Sequence, residues 1–293
     1  MNTQHNAESS SPQDPGKTAG KRPSLSEHQL RLVTGLGLAV VLISAISAGG
    51  IPLHLLALLV SSLALWEFFS MYWPGKTFLA RKLAGLGLGA LVLSARLLDP
   101  AYTALAVLLA FVLIALAFLL NYGRGKAEAR FEDYGPLISG LVYIPVALQL
   151  ALGFTPPEQL LVVLAAILAD IGGYYAGKHL GVRKIWPVVS PKKTWVGFFG
   201  GIVLCLLVLP LYALLGDLFA WTLPALPFWA WACLGVALCL AAQLGDFFES
   251  ALKRSLAVKD SGSLLPGHGG LLDRIDSLLF VLPVYTLARL TVL

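Results

Sequence analysis

The chain has 293 residues, of which 57% are hydrophobic and only 13% are charged, and its formal net charge is +5. With a mean hydropathy of +0.79, the composition excludes an ordinary soluble protein, which could not bury so much apolar surface. It predicts a polytopic membrane protein in a lipid bilayer. The basic balance suits anionic headgroups, and no DNA- or RNA-binding motif points to a nucleic acid partner.

Residues 1–29 differ in composition from the rest of the chain. They are rich in Ser, Pro, Gln and Asn and lack apolar periodicity, which predicts a disordered cytoplasmic tail. Residues 30–293 are predicted to form one integral-membrane domain.

Nine apolar segments follow the tail, and each is close to the ~20 residues that a helix needs to cross the hydrocarbon core. Because lipid offers the backbone no hydrogen-bond partners, an all-α polytopic membrane protein is the predicted fold class. We expect about nine transmembrane helices, at residues 30–49, 51–73, 83–98, 101–121, 136–154, 158–177, 196–216, 226–245 and 276–293.

The distribution of positive charge predicts the orientation of these helices. If the N-terminus is cytoplasmic and all nine segments cross, 19 of the 21 Lys and Arg residues flank the cytoplasmic ends, and only Arg96 and Arg289 do not. Such a bias is typical of the positive-inside rule. It places residues 178–195 and 246–275 together at the cytoplasmic face, where we expect the active site.

Two acidic residues lie inside predicted membrane segments. Glu67 is near the inner end of the second segment, and two interpretations stay open: it pairs with a basic residue of a site, or it simply lies near the headgroups. Asp170 is about two turns inside its segment, where an unpaired carboxylate costs on the order of 3 kcal/mol. We expect Asp170 to face the bundle interior and to have a partner, either as part of a site or as a structural salt bridge or neutral acid.

A glycine-containing stretch follows Asp170. Gly172, Gly177 and Lys178 approach the spacing of a phosphate-binding P-loop, but His179 stands where Ser or Thr should be, and the stretch follows an apolar helix. We therefore interpret these glycines as sites of close helix packing.

An unusually polar stretch, 246–277, lies between two apolar segments. Asp246, Glu249 and Lys253 share one helix face if the preceding helix continues, and Asp273 and Asp276 begin the last helix. Carboxylates from separate helix ends can hold a hard cation such as Mg²⁺ together with phosphate oxygens. The glycines of residues 266–270 allow backbone N–H groups to approach an anion. The alternative is a solvated loop whose charges only set topology.

The spacing within this stretch resembles that of a known family. Residues Ser250-x2-Lys253-Arg254-x4-Lys259-Asp260-x-Gly262-x3-Pro266-Gly267-His268-Gly269-Gly270-x2-Asp273-Arg274-x-Asp276 are similar to the C-terminal signature of the phosphatidate cytidylyltransferases, also called CDP-diacylglycerol synthases. Asp170-x3-Tyr174-x2-Gly177 and Ser190-Pro191-Lys192-Lys193-Thr194-Trp195 fit the same family. One departure is Val196, where the family usually has an acidic residue.

The resemblance implies a reaction of CTP with phosphatidic acid that gives CDP-diacylglycerol and pyrophosphate. The implied cofactor is Mg²⁺, and participation of a second cation is left open. It also implies a bacterial inner membrane location and a homodimer. The resemblance implies that several residues of these motifs matter, but it does not assign the role of each. We predict Asp246 and Asp273 as metal ligands, with Asp170 and Glu249 as further candidates. We predict as catalytic residues Asp246, Asp273, Lys253, Arg254, Lys259, Asp260, His268 and Arg274. We predict as substrate-binding residues Ser190, Lys192, Lys193, Thr194, Gly267, Gly269, Gly270 and Asp276.

A different class of function is an ion-coupled transporter that uses Asp170 and Glu67 as coupling acids. That interpretation predicts internal repeats with broken helices in matching halves. The sequence has no such repeat, and a transporter leaves the polar stretch at 246–277 unexplained.

Overall fold

The computed structural model describes residues 27–124, 130–262, 264 and 269–291, with the backbone alone for residues 27–32. Nearly all of the predicted tail, together with Gly267 and His268, lies outside the described residues. Within the described ranges every regular element is a helix, and extended backbone is limited to isolated pairings such as the antiparallel bridge between Lys184 and Thr194. The predicted all-α class is confirmed.

Ten α-helices and one short 3-10 helix make up the described chain. In order they are α1 (Glu27–Ala48), α2 (Gly50–Tyr72), α3 (Leu79–Ala95), α4 (Tyr102–Gly123), the 3-10 helix (Phe131–Tyr134), α5 (Gly135–Tyr143), α6 (Pro145–Ala151), α7 (Pro156–Leu180), α8 (Trp195–Leu218), α9 (Phe228–Ser255) and α10 (Leu272–Thr291).

Each of the nine predicted segments is helical, but the segment 136–154 is not one helix. It is divided at Ile144 into α5 and α6. The cause is Pro145, which has no amide hydrogen and whose ring disfavours helical backbone at the preceding residue.

Six stretches of the described chain are long and apolar enough to cross a membrane: α2, α4, α7, α8, α9 and the run Phe131–Ala151. The protein is therefore a multi-pass membrane protein. Length and composition alone do not identify all nine predicted spans. Helix α3 has 17 residues and carries Arg81 and Lys82 in its first turn, and α10 carries charged residues near its start.

Helices α7 and α8 pack closely because glycines face each other across their interface. A Cβ atom added at Gly172 would lie 2.6 Å from the carbonyl oxygen of Gly200 and 2.8 Å from Cα of Gly201. These are backbone atoms that cannot rotate away, so the packing interpretation of the glycine stretch is confirmed. Helices α9 and α10 approach in the same way, since a Cβ at Gly245 would lie 2.5 Å from the Asp276 carbonyl oxygen.

The helix directions bring four helix ends to one end of the bundle. These are the C-terminal ends of α7 and α9 and the N-terminal ends of α8 and α10. Nearly all the residues singled out between 170 and 276 belong to these ends or to the segment 181–194 that joins α7 to α8. The polar stretches that are separated in sequence therefore meet in space.

Candidate active site

A cavity of about 660 Å³ lies where these four helix ends meet. Its charged lining residues come from α7, from the segment 181–194, from α9 and from α10. The acidic ones are Asp170, Asp246, Glu249, Asp273 and Asp276, and the basic ones are Lys178, Lys184, Lys192, Lys193, Lys253 and Arg274. Opposite charges thus surround one space that is large enough for a phosphorylated ligand.

One face of helix α9, which carries both acidic and basic side chains, lines the cavity. The helix continues to Ser255, as the spacing of Asp246, Glu249 and Lys253 requires, and all three side chains line the cavity. The ammonium of Lys253 lies 2.5 Å from Oε2 of Glu249 and 2.6 Å from Oδ1 of Asp273. Lys253 therefore joins α9 to the start of α10.

Asp273 is held from several sides. Its Oδ2 accepts a hydrogen bond from the amide of Gly270 at 2.9 Å, and both carboxylate oxygens lie within 3.4 Å of the amide of Ser261. Burial alone would raise the pKa of Asp273, but its interactions with the Glu249 carboxyl group, the Lys253 ammonium and the Gly270 amide outweigh burial and keep the pKa below its ordinary value. The carboxylate is thus ionised at neutral pH.

The segment between α7 and α8 forms the basic side of the cavity. Lys193 forms an ion pair with Asp246, and its ammonium also lies 4.1 Å from the ring centre of Phe247. The Lys184 ammonium donates to the carbonyl oxygen of Lys192 at 3.4 Å. Thr194 is buried, and its hydroxyl oxygen accepts a hydrogen bond from the Gly197 amide at 3.1 Å, which caps α8. Thr194 therefore supports the segment as well as lining the cavity.

Two further carboxylates belong to the same space. Asp170 faces the cavity from α7, as expected, but the structure shows no ion pair for it among the described residues. Asp276 is 7% exposed, and its Oδ1 accepts a hydrogen bond from the Ser277 amide at 2.6 Å. Together with Asp246, these side chains provide carboxylate oxygens from α7, α9 and α10 that could bind a cation in the cavity.

This donor set fits a hard divalent cation that also binds phosphate. In the described part of the chain, no three His, Cys, Asp or Glu side chains converge closely enough to hold a metal ion without further ligands. Mg²⁺, however, usually takes only one or two protein carboxylates and completes its shell with phosphate oxygens and water. Glu249 also has a buried oxygen, Oε1, with no hydrogen-bond partner in the described structure.

Several predicted site residues lie outside the cavity lining. Arg254, Lys259 and Asp260 are exposed at and beyond the end of α9, and the guanidinium of Arg254 donates to the Val258 carbonyl oxygen at 3.4 Å. Ser190 and Gly269 are also absent from the lining, and Gly270 contributes its amide to Asp273. The predicted roles of Gly267 and His268 concern residues that the structure does not describe.

Sequence reasoning left out some residues that line the cavity. Gln243 lies three residues before Asp246 on the same face of α9, and its amide donates to the Phe198 carbonyl oxygen at 3.2 Å. The same spacing rule that grouped Asp246 with Glu249 would have included it. Lys178, which the sequence associates with a rejected P-loop spacing, and Lys184, which it assigns only to topology, also line the cavity.

Val196, the departure from the family pattern, does not face the cavity. Its side chain lines a separate apolar groove on the outer side of α7 and α8, beside Phe199 and Leu180. An acidic side chain at this position in the present backbone would point away from the other carboxylates. The charges that line the cavity are therefore unaffected by the substitution.

Comparison with known proteins identifies relatives over most of the chain. The model of the cytidylyltransferase family matches residues 29–291. The phosphatidate cytidylyltransferase of Bacillus subtilis is 35% identical over 264 residues, which cover 86% of this chain and 94% of that protein. The proteins of the same name from Staphylococcus saprophyticus and Staphylococcus aureus (strain COL) are each 34% identical, over 87% of this chain and 96% of their own length.

Proposed function

The chain belongs to the cytidylyltransferase family, and we propose that it transfers the cytidylyl group of CTP to phosphatidic acid, giving CDP-diacylglycerol and pyrophosphate. The activity is the one named for its relatives in Bacillus and Staphylococcus. The structural observation that supports it is the cavity in which Lys193 and Asp246 meet Lys253 and Asp273.

The proposed reaction needs no activated Ser or Cys. A phosphate oxygen of phosphatidic acid attacks the α-phosphorus of CTP and forms a new P–O bond. The bond from the α-phosphorus to the bridging oxygen breaks, and pyrophosphate leaves with the electron pair. Because both reactants are anions, the work of the protein is to hold them in line and to lower their repulsion.

The lysines of the cavity suit this work. Lys193 pairs with Asp246, Lys253 pairs with Glu249 and Asp273, and both lysines line the cavity. Binding of phosphate would draw these ammonium groups, with Lys192 and Arg274, toward the substrate oxygens. Asp246 and Asp273, with Asp170 and Glu249 close by, would then hold Mg²⁺, which supplies neutralisation of the triphosphate charge.

We further propose the arrangement in the membrane that the charge pattern predicts. All nine apolar segments cross, the N-terminus is cytoplasmic, and the cavity opens at the cytoplasmic face of a bacterial inner membrane, where CTP is present. The bacterial origin of the relatives supports this location. The homodimer that the resemblance implies stays a prediction.

The transporter alternative has no support from the relatives, which are named as enzymes. The two acids that it requires also lie in different environments. Asp170 lines the cavity, whereas Glu67 is buried against the backbone at the start of α10.

The proposed activity is tested with the protein purified in detergent. CTP labelled on the α-phosphate should pass its label into the organic phase when phosphatidic acid is present. CTP labelled on the γ-phosphate should release its label only as pyrophosphate. This control shows that the bond between the α-phosphorus and the bridging oxygen is the one that breaks. Absence of α-label from the lipid fraction would rule out the proposed function.

Removal of divalent cations tests the metal separately. We expect EDTA to abolish label transfer, because the repulsion between the two anions is then uncompensated, and added Mg²⁺ to restore it. A single hyperbolic dependence on Mg²⁺ concentration indicates one class of cation, and a sigmoidal dependence indicates a second. Undiminished transfer in EDTA would contradict the role of a divalent cation.

A further inference from the structure

Glu67 is a buried acid that does not line the cavity. It lies on α2, and the residue is 2% exposed. Its Oε2 accepts a hydrogen bond from the amide of Leu272 at 2.8 Å and another from the hydroxyl of Ser261 at 3.3 Å. The described structure shows no ion pair between Glu67 and a basic side chain. The alternative, a position near the headgroups, stays a prediction.

Both residues that donate hydrogen bonds to Glu67 are immediate neighbours of Asp273. Leu272 is the first residue of α10 and precedes Asp273 in the chain. Ser261 directs its own amide at the carboxylate of Asp273, at 3.3 Å from Oδ2. One oxygen of Glu67 therefore fixes two neighbours of Asp273 against α2.

The glycines around Glu67 indicate that its position leaves no spare room. A Cβ atom added at Gly262 would lie 2.7 Å from Cδ and 2.8 Å from Cγ of Glu67. A Cβ at Gly270 would lie 2.8 Å from Oε2 of Glu67 and 2.9 Å from the Gly262 amide nitrogen. The backbone at both positions is thus packed directly against this one side chain.

We propose that Glu67 is a positioning residue that anchors Ser261 and the N-terminus of α10 to α2 and thereby fixes the carboxylate of Asp273 in the cavity. The anchor acts through two accepted hydrogen bonds, one from the Ser261 hydroxyl and one from the Leu272 amide at the N-terminus of α10, where the helix dipole also favours a carboxylate. Its kinetic consequence depends on the proposed function, and its structural consequence does not.

The contacts predict which substitutions are tolerated. Gln retains an oxygen that can accept both hydrogen bonds, and its amide nitrogen would take the place of Oε1, which has no partner among the described residues. Ala removes the acceptor and leaves the Leu272 amide and the Ser261 hydroxyl without it. We therefore expect Glu67→Ala to lower kcat about 10- to 100-fold through displacement of Asp273, with the KM for phosphatidic acid nearly unchanged.

We expect Glu67→Gln to keep kcat within about threefold of the unchanged protein, because it preserves the two hydrogen bonds.

The matched control is Glu158→Gln on α7. Glu158 is also 2% exposed, and it also accepts a hydrogen bond from a helix-start amide, that of Thr155 at 2.7 Å. It lies about 18 Å along the helix from Asp170. This control should lower thermal stability but not kcat per folded molecule.

Gly262 allows a test that does not depend on removal of Glu67. Gly262→Ala should push the Glu67 side chain aside and lower kcat about 10-fold or more. In the Glu67→Ala background the same change should cause little further loss, because the three nearest atoms to the added methyl all belong to Glu67. Full additivity of the two losses would contradict the proposal, as would a kcat for Glu67→Ala within twofold of that of Glu158→Gln.

Hydrogen exchange measured by mass spectrometry gives a readout that needs no activity. Glu67→Ala should increase amide exchange in peptides that contain Ser261 and Leu272, and Glu158→Gln should not. Unchanged exchange in these peptides would overturn the anchor even if kcat falls. If the unchanged protein fails to label lipid, the proposed function is wrong, and the exchange result still decides the role of Glu67.

Discussion

Lys253 is the residue on which the acidic groups of α9 and α10 converge. Its side chain is 12% exposed and contacts Glu249, whose side chain is 1% exposed, as well as Asp273. Removal of one partner from such a buried group is strongly destabilising, at roughly 3–5 kcal/mol, because a charge is left uncompensated.

The carboxylates of the cavity can be tested singly. Asp246→Asn and Asp273→Asn should each lower the transfer rate about 100-fold or more, because each removes a negative donor at the place where phosphate charge must be compensated. The rate of label transfer at saturating CTP and Mg²⁺ is the measurement.

Asp217→Asn is the matched control for these variants, since Asp217 is exposed near the end of α8 and outside the cavity lining. It should leave the rate unchanged. A near-normal rate in either cavity variant would remove that aspartate from the proposed metal site.

Helices α7 and α8 form the wall that separates the polar cavity from the apolar groove that contains Val196. The cavity side includes Asp170, Gly173 and Gly177, and the groove side includes Gly172 and Gly200. Because the glycines remove side chains from the interface, the two backbones approach closely enough to keep the wall thin. The packing of α7 against α8 thus depends on residues that have no chemistry of their own.

Gly172→Ala tests this dependence. The added methyl would press on the backbone of Gly200 and Gly201, and we expect it to lower the free energy of unfolding by about 1–3 kcal/mol. Gly87→Ala on α3 is the control, because nothing lies within 4 Å of a Cβ at that position. It should be neutral or stabilising by about 0.5–1 kcal/mol.

Thermal unfolding in detergent compares the two alanine variants. Equal unfolding temperatures for both would contradict close packing of α7 on α8.

The two ends of the molecule differ in how many basic residues they carry. The cavity end gathers six basic lining residues, whereas Arg96 and Arg289, the two exceptions to the predicted charge bias, meet at the other end. Arg289 lies 3.3 Å from Glu158 and donates to the Gly153 carbonyl oxygen at 2.6 Å, and a Cβ at Gly153 would contact the Arg96 guanidinium. The ion pair with Glu158 offsets part of this positive charge. Such an arrangement supports the proposal that the cavity end is cytoplasmic.

Cysteine labelling tests this orientation directly. In a cysteine-free background, Leu218→Cys should react with a membrane-impermeant reagent added to intact cells, and Val182→Cys should react only after lysis. The two positions are both highly accessible, at 76% exposure for Leu218 and 90% for Val182. Leu218 is the last residue of α8, and Val182 lies just beyond α7, at the opposite end of the bundle. The reverse pattern would overturn the proposed topology.

The amino-acid sequence by itself determined the class of the protein and the helix face that carries several of its charged residues. Continuous apolar segments predict membrane helices, because only internally hydrogen-bonded backbone is stable in lipid. The i, i+3, i+7 spacing of Asp246, Glu249 and Lys253 predicts their common face, since α-helical geometry is local.

Only the tertiary structure decided how distant segments are combined. It divided the segment 136–154, paired Lys193 with Asp246, and turned Val196 away from the cavity. It also brought Glu67 to the start of α10, 205 residues further along the chain. No local pattern predicts that contact, because it depends on which helices are neighbours in the bundle, and packing of the whole chain decides this.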